Sequence, residues 1–179
     1  MRLQPPDKQG GFTLIEVMIV MIIIGIIVAI ALPSIFQIVS KFKLRAAIFE
    51  LSQFWKETRL DATDSGNIPS TICMAESASN QVVYAQVQGK YCDSVTSWQY
   101  LPRGVSIDEE NSTLRTVSGV AGNDGKIYRV SWADTNAGYG GSWGQLGRIT
   151  LQAGTGRQCL VLFNIKGEWE TRKGTKCVK

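Results

Sequence analysis

The chain has 179 residues, of which 44% are hydrophobic and 19% charged, and its formal net charge is +4 at pH 7. This composition excludes a disordered chain and fits one folded domain with an additional apolar segment. The sequence contains no histidine, the commonest general base in enzymes, and shows neither a Gly-x-Ser-x-Gly elbow nor a Walker-type phosphate loop. We therefore expect a protein that is not an enzyme and has no catalytic residue, cofactor or metal site.

Residues 12–35 form an apolar segment in which Glu16 is the only charged residue. Its 24 residues, at about 1.5 Å each, can cross a hydrocarbon core of about 30 Å. A secretory signal peptide would have a shorter apolar core followed by a small-x-small cleavage site, and neither feature occurs around Leu32, Pro33 and Ser34. The sequence therefore predicts a retained transmembrane helix.

The helix is expected to continue beyond Pro33 as an amphipathic segment over 36–66, because hydrophobic residues recur there at helical spacing. The recurring residues are Ile35, Ile38, Val39, Phe42, Ala46, Phe49, Leu51, Trp55 and Leu60. The sequence SGNIP at 65–69 supplies the Gly and Pro that end helices. One helix of about fifty residues is the prediction.

The run Gly11-Phe12-Thr13-Leu14-Ile15-Glu16 resembles the processing site of type IV prepilins. The resemblance implies that residues 1–11 are a leader, that a prepilin peptidase cleaves between Gly11 and Phe12, and that the new amine of Phe12 is methylated. In that family the glutamate at the place of Glu16 is thought to pair with the amine of a neighbouring subunit, here Phe12, so both residues would carry assembly. The alternative is a carboxylate that snorkels to the lipid headgroups.

Two interpretations of Gly25 and Pro33 stay open. One is that both residues are tolerated helix breakers, since Gly and Pro are commoner in membrane helices than in soluble ones. The other is that the hydrogen bond lost at Pro33 lets the helix bend or melt between Gly25 and Pro33 when subunits leave the bilayer. Related filaments show such local melting.

After Pro69 the sequence is typical of β structure, with short runs rich in Val, Ile, Tyr and Trp between Gly, Asn and Ser. The runs are STICMA, VVYAQV, GVSI, KIYRVSW, GRITLQ and CLVLFNI, and GNDGK at 122–126 is a tight-turn signal. We expect a β-rich head over 67–179 with an antiparallel sheet packed on the second half of the helix, an α+β, pilin-like fold. Residues 133–147 are predicted to form a glycine-rich loop without a strand, and the acidic run 108–110 a solvated turn without a role.

The head contains four cysteines, Cys73, Cys92, Cys159 and Cys177, without CxxC spacing. They allow three pairings. We expect the two local disulfides, Cys73 with Cys92 and Cys159 with Cys177, each of which would contribute about 3 kcal/mol by loop closure. The alternative is four small buried thiols.

Two features of the sequence predict opposite orientations of the chain in the membrane. Lys41, Lys43 and Arg45 follow the apolar segment, so the positive-inside rule alone would place the head in the cytoplasm. Paired cysteines need an oxidising compartment, and the prepilin resemblance implies a cytoplasmic leader. We therefore expect a single-pass inner-membrane protein with a periplasmic head, which then enters a periplasmic pseudopilus or a cell-surface pilus.

Residues 146–177 resemble the C-terminal region of the GspH/FimT group, which comprises minor pseudopilins of type II secretion and minor type IV pilins. In that group a Gly-Arg-Ile strand is followed by a second strand, a Gly turn and a terminal cysteine. The resemblance implies a minor pilin or pseudopilin. Its partners would be other pilins, the inner-membrane assembly platform, the prepilin peptidase and, before assembly, the lipid bilayer.

FimT-type pilins implicated in DNA uptake typically carry Gly-Arg-x-Arg where this chain reads Gly167-Glu168-Trp169-Glu170. Residues 147–179 nevertheless carry seven basic residues against two acidic ones, a net charge of +5. We favour a solvated basic surface. The alternative is a DNA-contacting patch, with Tyr139, Trp143 or Trp169 as stacking surfaces and with contacts from Arg148, Arg157, Arg172, Lys173 and Lys176.

Overall fold

The computed structural model describes residues 13–64, 68–118, 125–135, 139–141, 146–164 and 166–178. The chain divides into two compact units, Met1–Gln37 and Ile38–Lys179. One helix, α1, runs over Leu14–Asp64 and has 51 residues. The prediction of a single helix of about fifty residues is therefore confirmed.

In the first unit, α1 is apolar on all sides. Thr13 caps it, since the Thr13 Oγ1 atom accepts a hydrogen bond from the Glu16 backbone N–H at 3.4 Å. By length and composition the helix can cross a membrane: its most apolar window has a mean hydropathy of 3.1 and no buried residue. The charge-free run after Glu16 accounts for this, because up to Pro33 it contains only aliphatic residues, two methionines and small residues.

In the second unit, the head, α1 buries one stripe of side chains. Leu44, Ala47, Ile48, Leu51 and Trp55 are each 4% exposed or less. Their spacing of three and four residues places them on one face of the helix. This face supplies the helical side of the main core.

Part of the predicted amphipathic pattern is wrong. Phe42, Phe49 and Leu60 are 62%, 65% and 55% exposed, so they lie off the buried stripe, whereas Leu51 and Trp55 lie on it. The helix carries more than one apolar row, and only the row that includes Leu44 meets the sheets.

The head contains two antiparallel sheets within the described residues. The first has the order β3-β2-β1-β6-β5, with β7 also paired to β6, and the second has the order β10-β9-β8-β4. The strands of the first sheet are β1 (Ser70–Glu76), β2 (Val82–Gln88), β3 (Gln99–Tyr100), β5 (Thr116–Ser118), β6 (Lys126–Thr135) and β7 (Tyr139–Gly141). Those of the second are β4 (Ser106–Ile107), β8 (Gly147–Ala153), β9 (Gly156–Leu162) and β10 (Trp169–Lys173). Short 3₁₀ helices occupy Cys92–Ser94 and Gly174–Cys177.

The two sheets and α1 share one core. Ile72 and Met74 of β1, which point to the same face of the strand, join Leu151 of β8, Leu160 of β9 and Trp55 of α1 in this core. The alternate residues of β1, including Cys73, point to the opposite face and form a second, smaller cluster with Cys92 and Ile127. The predicted α+β fold, a long helix packed with antiparallel sheets, is confirmed.

The glycine-rich region 133–147 departs from its prediction. β6 continues to Thr135 and pairs with β7 at Tyr139–Gly141, so the region does hold a short strand. Glycine tolerates this hairpin because the ladder needs only backbone groups. Residues 122–124 of the predicted tight turn lie outside the described residues.

Both predicted disulfides are present. Cys73 pairs with Cys92 and Cys159 pairs with Cys177, with Cα atoms 5.9 Å and 5.7 Å apart. The first links β1 to the loop after β2, and the second links β9 to the C-terminal 3₁₀ helix. The local pairing is therefore confirmed.

Candidate functional site

The candidate assembly segment is the apolar first part of α1. Every side chain from Thr13 to Ile30 is exposed. Exposed apolar surface costs about 25 cal/mol per Å² in water, so a segment of this kind needs lipid or other helices around it. Glu16 is the acidic residue of the first helical turn, where the helix dipole favours a carboxylate.

The partner predicted for Glu16 lies outside the described residues, as do the cleavage residues Gly11 and Phe12. The pairing of Glu16 with a neighbouring subunit's Phe12 amine therefore stays a prediction. The structure places the Glu16 side chain on an exposed surface at the start of the helix.

Gly25 and Pro33 both lie within the α-helical span of α1. A Cβ atom built on Gly25 would have no heavy atom within 4 Å, so the glycine is not required by close packing within this chain. The helix is continuous at both positions, and melting on assembly stays a prediction.

Apolar side chains remain exposed on α1 where it runs along the head. Ile38, Val39, Phe42 and Phe49 are 52%, 42%, 62% and 65% exposed. We call these four residues the outer stripe. They recur at spacings of one, three and seven residues, close to the repeat that brings one helix against another.

Three of the arginines proposed as DNA contacts are engaged within the head. Arg148 donates from Nε to the Asn111 carbonyl oxygen at 2.7 Å and from Nη1 to that of Val178 at 3.2 Å. Arg157 donates from Nε to Asp108 Oδ2 at 2.6 Å, and Arg172 forms an ion pair with Glu170. The guanidinium groups of Arg148 and Arg157 thus hold the 108–111 segment and the backbone at Val178, whereas the pair of Arg172 and Glu170 lies within β10.

The remaining two proposed contacts, Lys173 and Lys176, line an open cavity of about 710 Å³. Glu170, Thr171 and Arg172 complete its lining, so an acid and an arginine that pair with each other share the cavity with the lysines. The structure thus places the five proposed contacts at the second sheet and the C-terminal 3₁₀ helix without gathering them into one cationic cleft.

Close packing explains the glycine of the Gly-Arg-Ile sequence at the start of β8. A Cβ atom on Gly147 would lie 2.9 Å from the Thr113 carbonyl oxygen, closer than real Cβ contacts allow. The adjacent Arg148 backbone N–H donates to Thr113 Oγ1 at 3.0 Å, and the Arg148 carbonyl accepts from the Thr113 N–H at 2.8 Å. Glycine lets the 111–114 segment approach β8 closely enough for these bonds.

Asp108 was predicted to be part of a solvated turn, and the structure shows that this is wrong. The residue is 5% exposed. Its carboxylate accepts hydrogen bonds from Arg157 Nε at 2.6 Å and from Asn111 Nδ2 at 2.9 Å. Burial alone would raise the pKa of the Asp108 carboxyl, but the hydrogen bonds from Asn111 and Arg157 outweigh burial and hold the pKa below its usual value.

A sequence signal for this turn exists. Asp108 is followed by Asn111 and Ser112, and short polar residues at such spacing bond to nearby backbone groups. In the structure the Asn111 N–H donates to Asp108 Oδ1 at 3.3 Å, and Ser112 Oγ donates to the Asp108 carbonyl at 2.7 Å. The turn could be found from the sequence, whereas the partner Arg157 lies 49 residues away.

Trp169, one of the proposed stacking surfaces, packs inside the head. Its ring centroid lies 5.9 Å from that of Trp55 and 6.2 Å from that of Trp132, in edge-to-face arrangements. The Arg59 guanidinium lies 5.9 Å from the Trp169 ring centroid. Trp143 lies outside the described residues, and of Tyr139 only the backbone in β7 is described.

An apolar helix with an acid in its first turn, followed by antiparallel sheets, is the architecture expected of a type IV pilin-like protein. A model of the prokaryotic N-terminal methylation motif matches residues 6–32, which include the predicted cleavage site. The predicted resemblance to type IV pilins is confirmed at this level.

Two curated relatives are fimbrial proteins. The chain is 52% identical to fimbrial protein Q of Moraxella bovis over 46 residues, which make up 26% of this chain and 29% of that protein. It is 52% identical to fimbrial protein EcpB of Eikenella corrodens over 44 residues, 25% of this chain and 28% of that protein. The chain thus spans less than a third of the length of either relative, and no solved structure matches it.

Proposed function

We propose that this chain is a minor pilin or pseudopilin of the GspH/FimT group, a structural subunit without enzymatic activity that is processed after Gly11 and assembles through its N-terminal helix. The observation that carries the proposal is the exposed apolar segment with Glu16 in its first turn, within a matched methylation motif. Such a surface is unstable in water and suits two environments, a bilayer and a bundle of similar helices.

Glu16 gives this assembly a register. An isolated charge within hydrocarbon costs roughly 2.5–3.5 kcal/mol on insertion scales, and an opposite charge at hydrogen-bonding distance offsets that cost. The amine of Phe12 on a neighbouring subunit is such a charge once the leader is removed. Only one stagger of two helices brings the two groups together, so the ion pair selects that stagger.

The outer stripe supports the same mode of assembly. Phe42 and Phe49 keep more than half of their surface exposed although Leu44 and Ile48, two residues and one residue away, are buried in the head. Large exposed aromatic side chains at a seven-residue spacing are suited to contact with another helix. The helix would therefore have one face for its own head and another for a neighbouring subunit.

In this proposal the subunit starts in the inner membrane with its head in the periplasm. It is recognised by a prepilin peptidase, contacts the inner-membrane assembly platform and then joins other pilins in a periplasmic pseudopilus or a surface pilus. Two disulfides in the head support an oxidising compartment for residues 73–177.

We do not propose DNA uptake as the function. Arg148, Arg157 and Arg172 hold intramolecular partners, and DNA would have to compete with them. The place of the Gly-Arg-x-Arg motif carries two glutamates and a packed tryptophan.

The proposal is tested with two variants of the full chain expressed beside its pilin system. Gly11→Val should leave the leader attached, which intact mass detects. Glu16→Gln should be processed normally, yet its co-purification with filaments should fall at least tenfold, on the order of the loss expected for a buried ion pair. Glu57→Gln, which removes an exposed acid from the same helix, is the matched control and should assemble as wild type. Cleavage of the Gly11→Val chain at the wild-type site, or equal assembly of the Glu16 and Glu57 variants, would contradict the proposal.

A further inference from the structure

The basic residues that directly follow the apolar segment have no acidic neighbours on their helix. Lys41, Lys43 and Arg45 have no Asp or Glu three or four residues before or after them. Lys41 and Arg45 are themselves four residues apart, a spacing at which like charges destabilise a helix. This local excess of positive charge calls for an external anion.

A loop of the head adds a fourth cation and a cavity at the same level of the helix. Ser79, Asn80, Gln81, Arg103 and Gly104 line a cavity of about 280 Å³. The Lys43 ammonium nitrogen lies 3.8 Å from the position of a Cβ atom on Gly104, so it borders the wall of this cavity. Gly104 has a φ of +87°, a conformation that favours glycine and shapes the loop beside Lys43.

The cavity offers the groups that bind a phosphate ester. Lys43 and Arg103 supply two positive charges. The Ser79 hydroxyl shares a hydrogen bond with the Ser77 hydroxyl at 2.9 Å, and Gln81 Nε2 donates to the Leu101 carbonyl at 2.7 Å, so the two cations carry the recognition of an anion. In the part of the chain that the structure describes, no ion pair joins a carboxylate to Lys43 or Arg103. The volume lies near the lower limit of roughly 300 Å³ for small-molecule sites, which suits a headgroup and not a whole lipid.

We infer that this site, formed by Lys43, Arg103 and the β1–β2 turn, binds the phosphodiester headgroup of an anionic phospholipid such as phosphatidylglycerol. Lys43 follows Ile35, the last residue of the apolar segment, by eight residues, about 12 Å along the helix. Helical side chains tilt toward the N-terminus, so the long Lys43 side chain reaches back toward the headgroups when that segment spans the hydrocarbon.

This inference rests on the membrane anchoring in the proposed function and not on filament assembly. It gives Lys43 a purpose on the side where the positive-inside rule does not expect a basic residue. A bound headgroup would stabilise the subunit in the bilayer before assembly, and it must be released when the helix leaves the membrane.

The test uses the full chain in neutral detergent micelles and native mass spectrometry. Phosphatidylglycerol and phosphatidylcholine with identical acyl chains are titrated in separate arms, and the bound fraction is counted for each. The wild type should prefer phosphatidylglycerol by at least tenfold. Arg103→Gln and Lys43→Gln should each lower that affinity by about fivefold, the effect of one cation near an anionic surface.

Lys56→Gln is the control, because it removes the same charge from an exposed position of the same helix about 20 Å from Lys43. It should leave the preference unchanged, and all variants should keep the wild-type melting temperature. Equal binding of both lipids, or equal losses in the Arg103 and Lys56 variants, would overturn the inference.

Two competitors distinguish a lipid from other phosphate ligands. Competition by glycerol phosphate at the same concentration as the lipid would assign the site to a free phosphate ester. Displacement of the lipid by an oligonucleotide would assign the site to nucleic acid, and either result overturns the lipid site. None of these readouts requires cleavage or filament assembly, so the inference and the proposed function can fail separately.

Discussion

Replacing Asp108 by alanine should destabilise the head strongly at neutral pH and weakly in acid. The carboxylate is buried and accepts hydrogen bonds from two side chains, the Arg157 cation at 2.6 Å and Asn111 at 2.9 Å. Removing one partner of a buried ion pair costs about 3–5 kcal/mol. The Arg157 side chain is 44% exposed and can be hydrated after the loss, so we expect about 2–3 kcal/mol.

The pH dependence follows from the direction of the pKa shift. Hydrogen bonds from Asn111 and Arg157 hold the folded-state pKa of Asp108 below its unfolded value. Its stabilising effect is therefore fully present above the unfolded value, about 3.9, and is lost as the pH falls through the lower folded value. The difference in unfolding free energy between wild type and Asp108→Ala should shrink accordingly below about pH 4.

Urea unfolding of residues 38–179, followed by circular dichroism at pH 7, 5 and 3, measures this difference. Glu109→Ala is the matched control, since Glu109 is a neighbouring carboxylate whose ion pair with Lys126 is about half exposed. Such a pair contributes at most about 1 kcal/mol. A loss at pH 7 no larger than that of Glu109→Ala, or an equal loss at pH 7 and pH 3, would refute the ionic account of Asp108.

Three further outcomes are expected. Trp169→Ala should lower the free energy of unfolding by about 2–3 kcal/mol. This loss is smaller than that expected for a fully buried tryptophan, because Trp169 is only partly buried. An unchanged midpoint of urea unfolding would show that the aromatic cluster is dispensable. The double variant Cys159→Ser with Cys177→Ser should lose about 3 kcal/mol by the loop-closure estimate. Reduced wild type, which lacks both disulfides, should lose more than that, and an equal loss would show that the Cys73–Cys92 disulfide contributes nothing. Double-stranded DNA should bind the head only in the non-specific range of about 10⁻⁴–10⁻⁶ M and with strong salt dependence, and tight binding abolished by Arg172→Ala alone would restore the DNA-contact hypothesis.

The fold could be predicted where local pattern decides it. The length of α1 follows from an apolar run and a helical repeat without an intervening turn signal, and the disulfides join cysteines only 19 and 18 residues apart. The choice of the buried face could not be predicted, because α1 carries two apolar rows. Phe49 and Leu51 look equivalent in the sequence, and only the packing of the sheets buries Leu51.

The roles of individual polar residues depend on distant partners. Asp108 stands in one acidic run with Glu109 and Glu110, and no local feature shows that it is Asp108 that pairs with Arg157, 49 residues away. Lys43 and Arg103 are likewise brought together only by the fold. For this reason the net charge of residues 147–179 could be counted from the sequence, but the count could not show which arginines form intramolecular hydrogen bonds or ion pairs.

The positions of the disulfides also determine how the molecule carries load. Both cross-links join parts of the head, and α1 contains no cysteine. Tension applied along the helix of an assembled subunit therefore reaches the sheets through the backbone after Asp64 and through side chains such as Leu44, Leu51 and Trp55 loaded in shear. A force in this direction acts on all of these side-chain contacts at the same time, so they do not break one after another. The two disulfides thereby brace the head covalently against unravelling, while its packing against the helix is noncovalent and can re-form after it is broken.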